Sequence, residues 1–353
     1  MRKASHFRRS NRFRYGVILL MVIFILFFFI INLTGGVVDI SSRDVFNILF
    51  GNKEIESTFI AIVLQLRLPQ TITAMLAGAA LAVAGLMMQS LFRNPLADPS
   101  ILGISSGATL GVALLLLGGF FFSFRVTDLP LFLSDLAVTG AALCGAILIL
   151  LLILTISGVL KSNTNLLIVG IMIGYIAFSV VGILKYYSPK EDLQRFVIWG
   201  LGSFSQVSPS RLPMFVGLTL GGLSVSFLMA KPLNLLLLGE YYASNLGLNT
   251  NRARWFVILI SGSLTAVITA YCGPVAFIGL AVPHLTRNVF DTSSHGTLLP
   301  TSALMGALLA LIVNYVSRMA IFGGTLPVSA VTALIGAPIV LWFIFKSSSF
   351  KQS

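Results

Sequence analysis

The chain has 353 residues, 57% of them hydrophobic and only 10% charged, with a formal net charge of +12. Soluble domains carry about 25% charged residues, so this composition excludes an ordinary soluble domain. The positive charge needs no nucleic acid to account for it, because it lies where membrane proteins keep their cytoplasmic Lys and Arg.

In chain order, the first apolar run is Tyr15 to Leu33, "YGVILLMVIFILFFFIINL". About 20 residues rising 1.5 Å each cross a hydrocarbon core of about 30 Å, so such a run reads as a membrane helix. It is longer than a signal-peptide core and no A-x-A cleavage site follows, which makes it a retained anchor. Arg2, Lys3, Arg8, Arg9, Arg12 and Arg14 precede it, so residues 1–14 are expected to be a basic cytoplasmic tail. Ten spans are expected in all, at 15–34, 68–92, 100–120, 136–160, 164–184, 213–234, 253–272, 274–290, 299–322 and 327–346. With the N-terminus inside, fourteen Lys and Arg fall on the inner side against nine outside, and the tail supplies most of that margin. Residues 15–346 then form one all-α transmembrane domain, and 347–353 a second inner tail. Cys144 and Cys272 both sit in apolar runs, without partners at metal-ligand spacing, and are expected to be buried thiols with no disulfide.

Two interruptions stand out. "FRNPLADPSILGISSGATLG", Phe92 to Gly111, places Asn94-Pro95 and Asp98-Pro99 between greasy runs. Asp98 can cap the next helix while Pro99 takes its first position, where a missing N–H costs nothing. A plain helical hairpin is one reading. Gly103, Gly107 and Gly111 share a helix face, as do Ala74, Gly78 and Ala82, and small residues let membrane helices approach closely. The second interruption, "CGPVAFIGLAVPHLTRN" (Cys272 to Asn288), repeats the order of small-residue helix, proline break and charge. One begins at an outer edge and the other at an inner edge. Inverted repeats of spans 2–5 and 7–10 would look this way, as would chance similarity between apolar helices.

At these residues the sequence resembles a known family. "RLPQ…GAALAVAGLMMQSLFRNPLADPSILGISSGA", "FVIWGLGSFSQV", "LNLLLLGEYYASNLGLN", "GPVAFIGLAVPHLTR" and "TLPVSAVTALIGAPIVLWFIFK" occur in the order found in FecCD-type permeases. These are membrane subunits of ATP-binding-cassette importers for ferric siderophores, haem and vitamin B12. The resemblance covers about residue 60 to residue 346 and implies ten helices with inverted repeats.

It also implies three functional regions. A coupling loop at about 235–252, carrying Glu240, Ala243, Leu246 and Gly247, would rest in a groove of a cytoplasmic ATPase; a helix lying on lipid is the alternative. Arg67 and Arg318 would accept acidic residues of an extracytoplasmic binding protein, or else snorkel toward head groups. Gly170, Gly174, Tyr175, Ser179, Ser329, Thr332 and Gly336 would line a pathway between two permease copies, or a copy and a paralogue; plain helix packing is the alternative for each. Gln70 stands where the family has a second arginine, and Asn314 and Thr325 where it often has acids. These departures are expected to alter docking at the outer mouth.

Absences narrow the class. No GxxxxGK[ST] phosphate loop is present, so ATP and Mg²⁺ are expected on a separate subunit and no cofactor on this chain. The spans are almost free of acids, unlike proton-coupled carriers. His284 is expected to be a structural donor. No HExxH or intramembrane aspartate pair points to a membrane enzyme. The combined expectation is an importer permease for an iron complex, with vitamin B12 as alternative cargo, in the bacterial cytoplasmic membrane with both termini inside.

Overall fold

The computed structural model describes residues 11–36, 38–51, 55–119, 130–160, 162–319 and 324–349. Most of the basic tail, residues 120–129 and the end of the C-terminal tail lie outside them. The described residues are helical and contain no strand.

The apolar runs become α1 (Asn11–Thr34), α3 (Ser57–Leu91), α4 (Ile104–Leu117), α5 (Leu131–Val159), α6 (Asn163–Tyr187), α8 (Leu212–Leu228), α11 (Thr250–Cys272), α12 (Ile278–Phe290), α13 (His295–Arg318) and α14 (Val328–Ser349). These ten overlie the ten expected spans. Four short α-helices join them among the described residues: α2 (Ser42–Leu49), α7 (Lys190–Gly200), α9 (Ala230–Leu237) and α10 (Glu240–Asn245). Six of the ten are each long and apolar enough to cross a membrane, and the bent pair α8–α9 makes a seventh. Of the rest, α4 has 14 residues and α12 has 13, and the apolar part of α14 is Val328–Phe343.

Proline explains two departures from the expected ends. The ring of Pro232 would press on the Leu228 carbonyl in a continuous helix, and the chain bends by 50° between α8 and α9. Pro69 offers no N–H to the preceding turn. There the helix widens to a π turn over Ile62–Arg67, where Leu68 N bonds Val63 O, and it runs back to Ser57. Such π turns cluster at functional sites.

Contacts between helices come in matched sets. α3 packs on α13 as α11 packs on α5; α4 packs on α5 and α6 as α12 packs on α13 and α14. The residues just before α4 and α12, Gly103 and Phe277, both turn left-handed, at φ 81° and 67°. The chain is therefore two inverted four-helix repeats, α3–α6 and α11–α14.

The centre is α3, which from Thr71 to Leu91 is buried at all but two positions. A methyl group on Gly78 would run into the Gly306 carbonyl, and one on Gly85 into that of Gly279. Backbones this close gain dispersion contacts that larger side chains forbid, the main source of helix association in lipid. α6 and α14, by contrast, expose much of their surface. One expectation is corrected here. Cys272 is buried, but Cys144 is exposed on α5, because that turn of the helix faces outward from the bundle. Both thiols are free.

Candidate functional site

The segment expected to couple, 235–252, lies at one end of the bundle. The Gly239 backbone, at φ 105°, starts α10. Gly247, at φ 88°, ends it in a left-handed turn that Leu248 N closes onto Ala243 O at 3.0 Å. Only glycine enters that region without strain, which accounts for Gly247 in the motif. Ala243 is buried, while Leu246, Tyr241 and Tyr242 are exposed. The two tyrosines belong to this outward apolar face, and the four motif residues alone had not pointed to them.

Glu240 itself turns inward. Its Oε1 accepts from Arg254 Nη2 at 2.9 Å and from Asn163 Nδ2 at 3.0 Å. Arg254 also donates to Leu160 O at 3.0 Å, and Asn163 to Leu91 O at 3.3 Å. One carboxylate thus ties α10 to the ends of α3, α5, α6 and α11. A cation near the amino end of a helix opposes its dipole, so Arg254 was a legible hint that an acid lies nearby. A second strut stands beside it. His295 N and Nδ1 both donate to Asn234 Oδ1, at 2.8 and 2.9 Å, and Nε2 meets Ser90 Oγ at 2.6 Å. These bonds join α9, α13 and α3.

The interrupted stretch 92–103 packs at the same end. Asp98 accepts from Ser100 N at 2.9 Å and starts a short 3₁₀ turn, Pro99–Leu102. Burial pushes the Asp98 carboxyl up from its usual range, against the opposing pull of its Ser100 bonds. His284 Nε2–H donates to Pro95 O at 2.8 Å and its ring lies 4.2 Å from that of Phe343. That is a structural donor, as the sequence led us to expect.

At the opposite end, Arg67 and Arg318 both close the carboxyl end of α1. Arg67 donates to Leu33 O at 2.8 Å, to Thr34 O at 2.7 Å and to Val38 O. Arg318 donates to Asn32 O at 2.7 Å and to Gly35 O at 3.0 Å. A helix ends with carbonyls that lack partners and with partial negative charge, and guanidinium answers both. Arg67 is only 3% exposed, so in this conformation it is held inside and presents little to an external carboxylate.

Gln70 and Asn314 are one feature. Gln70 Nε2 donates to Asn314 Oδ1 at 2.9 Å, and Asn314 Nδ2 donates to Asn32 Oδ1 at 2.8 Å. Where the family pattern sets an arginine and an acid, this chain sets two neutral amides that meet. Asn314 is fully buried. The exchange therefore leaves a core contact neutral, with no charge removed from the outer surface at Asn314.

The residues proposed for a pathway wall divide. Tyr175 and Ser179 are exposed on α6. Gly170 packs on Leu102 and Gly336 on Phe277, too close for a side chain, and Gly174 faces Ser106 Oγ. Thr332 is buried and bonds Ser329 O at 2.9 Å. Ser329 Oγ donates to Leu201 O at 2.6 Å, which fastens α14 to the end of α7. Packing is what the geometry gives for Gly170, Gly336, Ser329 and Thr332.

The sequence matches the FecCD transport family over residues 23–346. The chain belongs to that family. Among curated FecCD-type proteins it is 39% identical over 284 residues to the hemin transport system permease HmuU of Yersinia pestis, covering 80% of this chain and 83% of that one. It is 36% identical to the vitamin B12 import system permease BtuC of Citrobacter koseri, covering 80% and 82%. A solved structure, an inward-facing conformation of a metal-chelate type ABC transporter, superposes with a TM-score of 0.80 at 30% identity, covering 94% of this chain and 99% of the other.

Proposed function

We propose that this chain is the permease subunit of an ATP-binding-cassette importer that moves an iron complex, a ferric siderophore or haem, across the bacterial cytoplasmic membrane. Vitamin B12 is the alternative cargo. Two copies, or one copy and a paralogue, enclose the path with α6 and α14 facing it. Two ATPase subunits bind ATP and Mg²⁺ at the cytoplasmic end, and a binding protein delivers cargo outside. Both termini are cytoplasmic.

The observation that carries this reading is α10. Its outer face offers Tyr241, Tyr242 and Leu246, apolar surface fit for a partner's groove. Its root, Glu240, is bonded to the ends of membrane helices. A push on α10 therefore reaches α3, α5, α6 and α11 through hydrogen bonds, with no flexible linker between. That suits rigid-body rocking of one repeat against the other.

The test is reconstitution with the ATPase and the binding protein. Glu240→Arg should leave ATP hydrolysis running while uptake per ATP falls severalfold. Uptake that continues without the ATPase and collapses with a protonophore would overturn the reading.

A further inference from the structure

Past the end of α1 the chain doubles back. Ile40 N donates to Thr34 O at 3.2 Å, and α2 begins two residues later. Ser41 starts it by accepting from Asp44 N at 3.1 Å, and an acid in the first turn suits the helix dipole. Each step along α2 turns the side chain by about 100°, which sorts its residues into three sectors. Val45 and Ile48 point into the protein, where they join Leu33, Ile40 and, from the π turn of α3, Val63 in a small separate core. Asp44 and Asn47 form a half-exposed polar side. Phe46, Leu49 and Phe50 form the third sector, with Phe46 61% and Phe50 76% exposed and their rings 4.4 Å apart.

Large apolar side chains gathered in one patch differ from the scattered ones that any surface carries, and the level of α2 decides what covers them. Arg14 marks one boundary of the first span, because a cation is costly within hydrocarbon. Thr34 stands about 20 residues further on, about 30 Å along the helix, and so at the other boundary. The bond from Ile40 to Thr34 holds the start of α2 at that level. α1 also stands at the rim of the bundle. It packs chiefly on α13 and exposes Leu19, Ile23, Phe27 and Ile30, so lipid surrounds the place where α2 begins.

We propose that α2 is an interfacial helix that lies on the membrane, with Phe46, Leu49 and Phe50 dipped into the boundary between head groups and acyl chains. Exposed Arg43, at the edge between the apolar and polar sectors, is placed for a lipid phosphate. The proposal rests on α1 spanning the membrane and is independent of cargo and ATPase. Its place in the fold gives the contact a consequence. The protein side of α2 packs with Leu33 and Val63, and Arg67, the last residue of the π turn, holds the carbonyl end of α1. Lipid beneath α2 thus fixes the depth at which the end of α1 and the π turn of α3 sit.

The experiment uses the full chain in vesicles of phosphatidylethanolamine and phosphatidylglycerol. Cys144→Ala removes the exposed thiol, and Cys272, which is buried, stays. One nitroxide at a time is attached through Phe46→Cys, Phe50→Cys or Asn47→Cys, with Phe27→Cys on α1 as the reference inside lipid. Oxygen concentrates in hydrocarbon and a neutral nickel chelate in water, so the ratio of their collision rates with the label reports depth. That ratio should be severalfold higher at positions 46 and 50 than at 47, and lower than at 27, which lies deeper in the span. A ratio at 46 and 50 no higher than at 47 places the rings in water and overturns the proposal. Weak collisions with both reagents, the mark of a protein covering the patch, overturn it as well. Phe50→Trp is the second measurement, free of any label. The fluorescence it adds should be quenched more by lipid brominated near the carbonyl end of the acyl chain than by lipid brominated near the methyl end; equal quenching, the reverse order or none overturns the proposal. Uptake enters neither readout, so failure of the importer reading would leave both unchanged.

Discussion

Replacing Glu240 with Gln removes one charge and keeps the acceptor oxygen that Asn163 uses, so the variant isolates the ion pair with Arg254. At 2.9 Å, with an effective dielectric of about 20, the gross attraction is ~6 kcal/mol. Desolvation offsets most of it. Breaking a fully buried pair from one side costs about 3–5 kcal/mol, and an exposed pair contributes about 0–1 kcal/mol. This pair lies between, since the Arg254 side chain is 5% exposed and that of Glu240 43%. Arg254 also keeps its bond to Leu160 O, which holds the loss to about 1–3 kcal/mol. Thermal denaturation of the purified permease should record that loss. In the reconstituted importer, uptake per ATP should fall with it. The reversed pair, Glu240→Arg with Arg254→Glu, should recover part of both, giving a double-mutant coupling energy of at least about 1 kcal/mol. A coupling energy below about 0.5 kcal/mol, or full uptake per ATP in Glu240→Arg, would refute the idea that α10 is fastened through this carboxylate.

Asn314→Asp alone should destabilise by about 3 kcal/mol, because it buries an acid among amides; adding Gln70→Arg should recover more than half, read in the same melting experiment. Gly78→Ala should lower the melting temperature and the yield of monodisperse protein, since overpacking costs about 1–3 kcal/mol; Gly140→Ala, where a methyl meets nothing, is the matched control and should change neither. A lipid-soluble thiol reagent should label Cys144 well before Cys272 in the folded protein, and denaturation should make the two rates equal.

Much of the architecture was legible because lipid imposes one rule, that backbone polar groups be satisfied within helices or against protein. Ten apolar runs, two proline-bearing breaks and the small-residue stripes foretold the helices, the interruptions and the close approach at Gly78 to Gly306. Ends were less legible. The bend before Pro232 follows from a single ring against a single carbonyl, and the π turn before Pro69 from one missing donor; hydropathy is blind to both. The proposed coupling helix could be placed by resemblance, but Glu240 bonds back to the bundle, and Arg254, a cation near the wrong end of its helix, was the signal for that. Arg67 and Arg318 were expected to face a partner. Their bonding to the end of α1 depends on carbonyls some 30 to 290 positions away, which no local pattern reveals. The Gln70–Asn314 contact was visible as two separate departures and became one compensated exchange only when the helices were side by side.

The burial of α3 also bears on how the chain is made. Gln89 and Ser90 sit in its last turns, yet their partners Arg287 and His295 are synthesised about 200 residues later. When α3 first leaves the ribosome, Ser90 Oγ can already donate to Leu86 O within the helix, but the amide oxygen and amide nitrogen of Gln89 stand without the mates that will satisfy them. Either lipid head groups or an insertase must shelter them until the second repeat arrives. Truncation anywhere before α13 should therefore yield a product that cellular quality control removes, and the two halves should mature together.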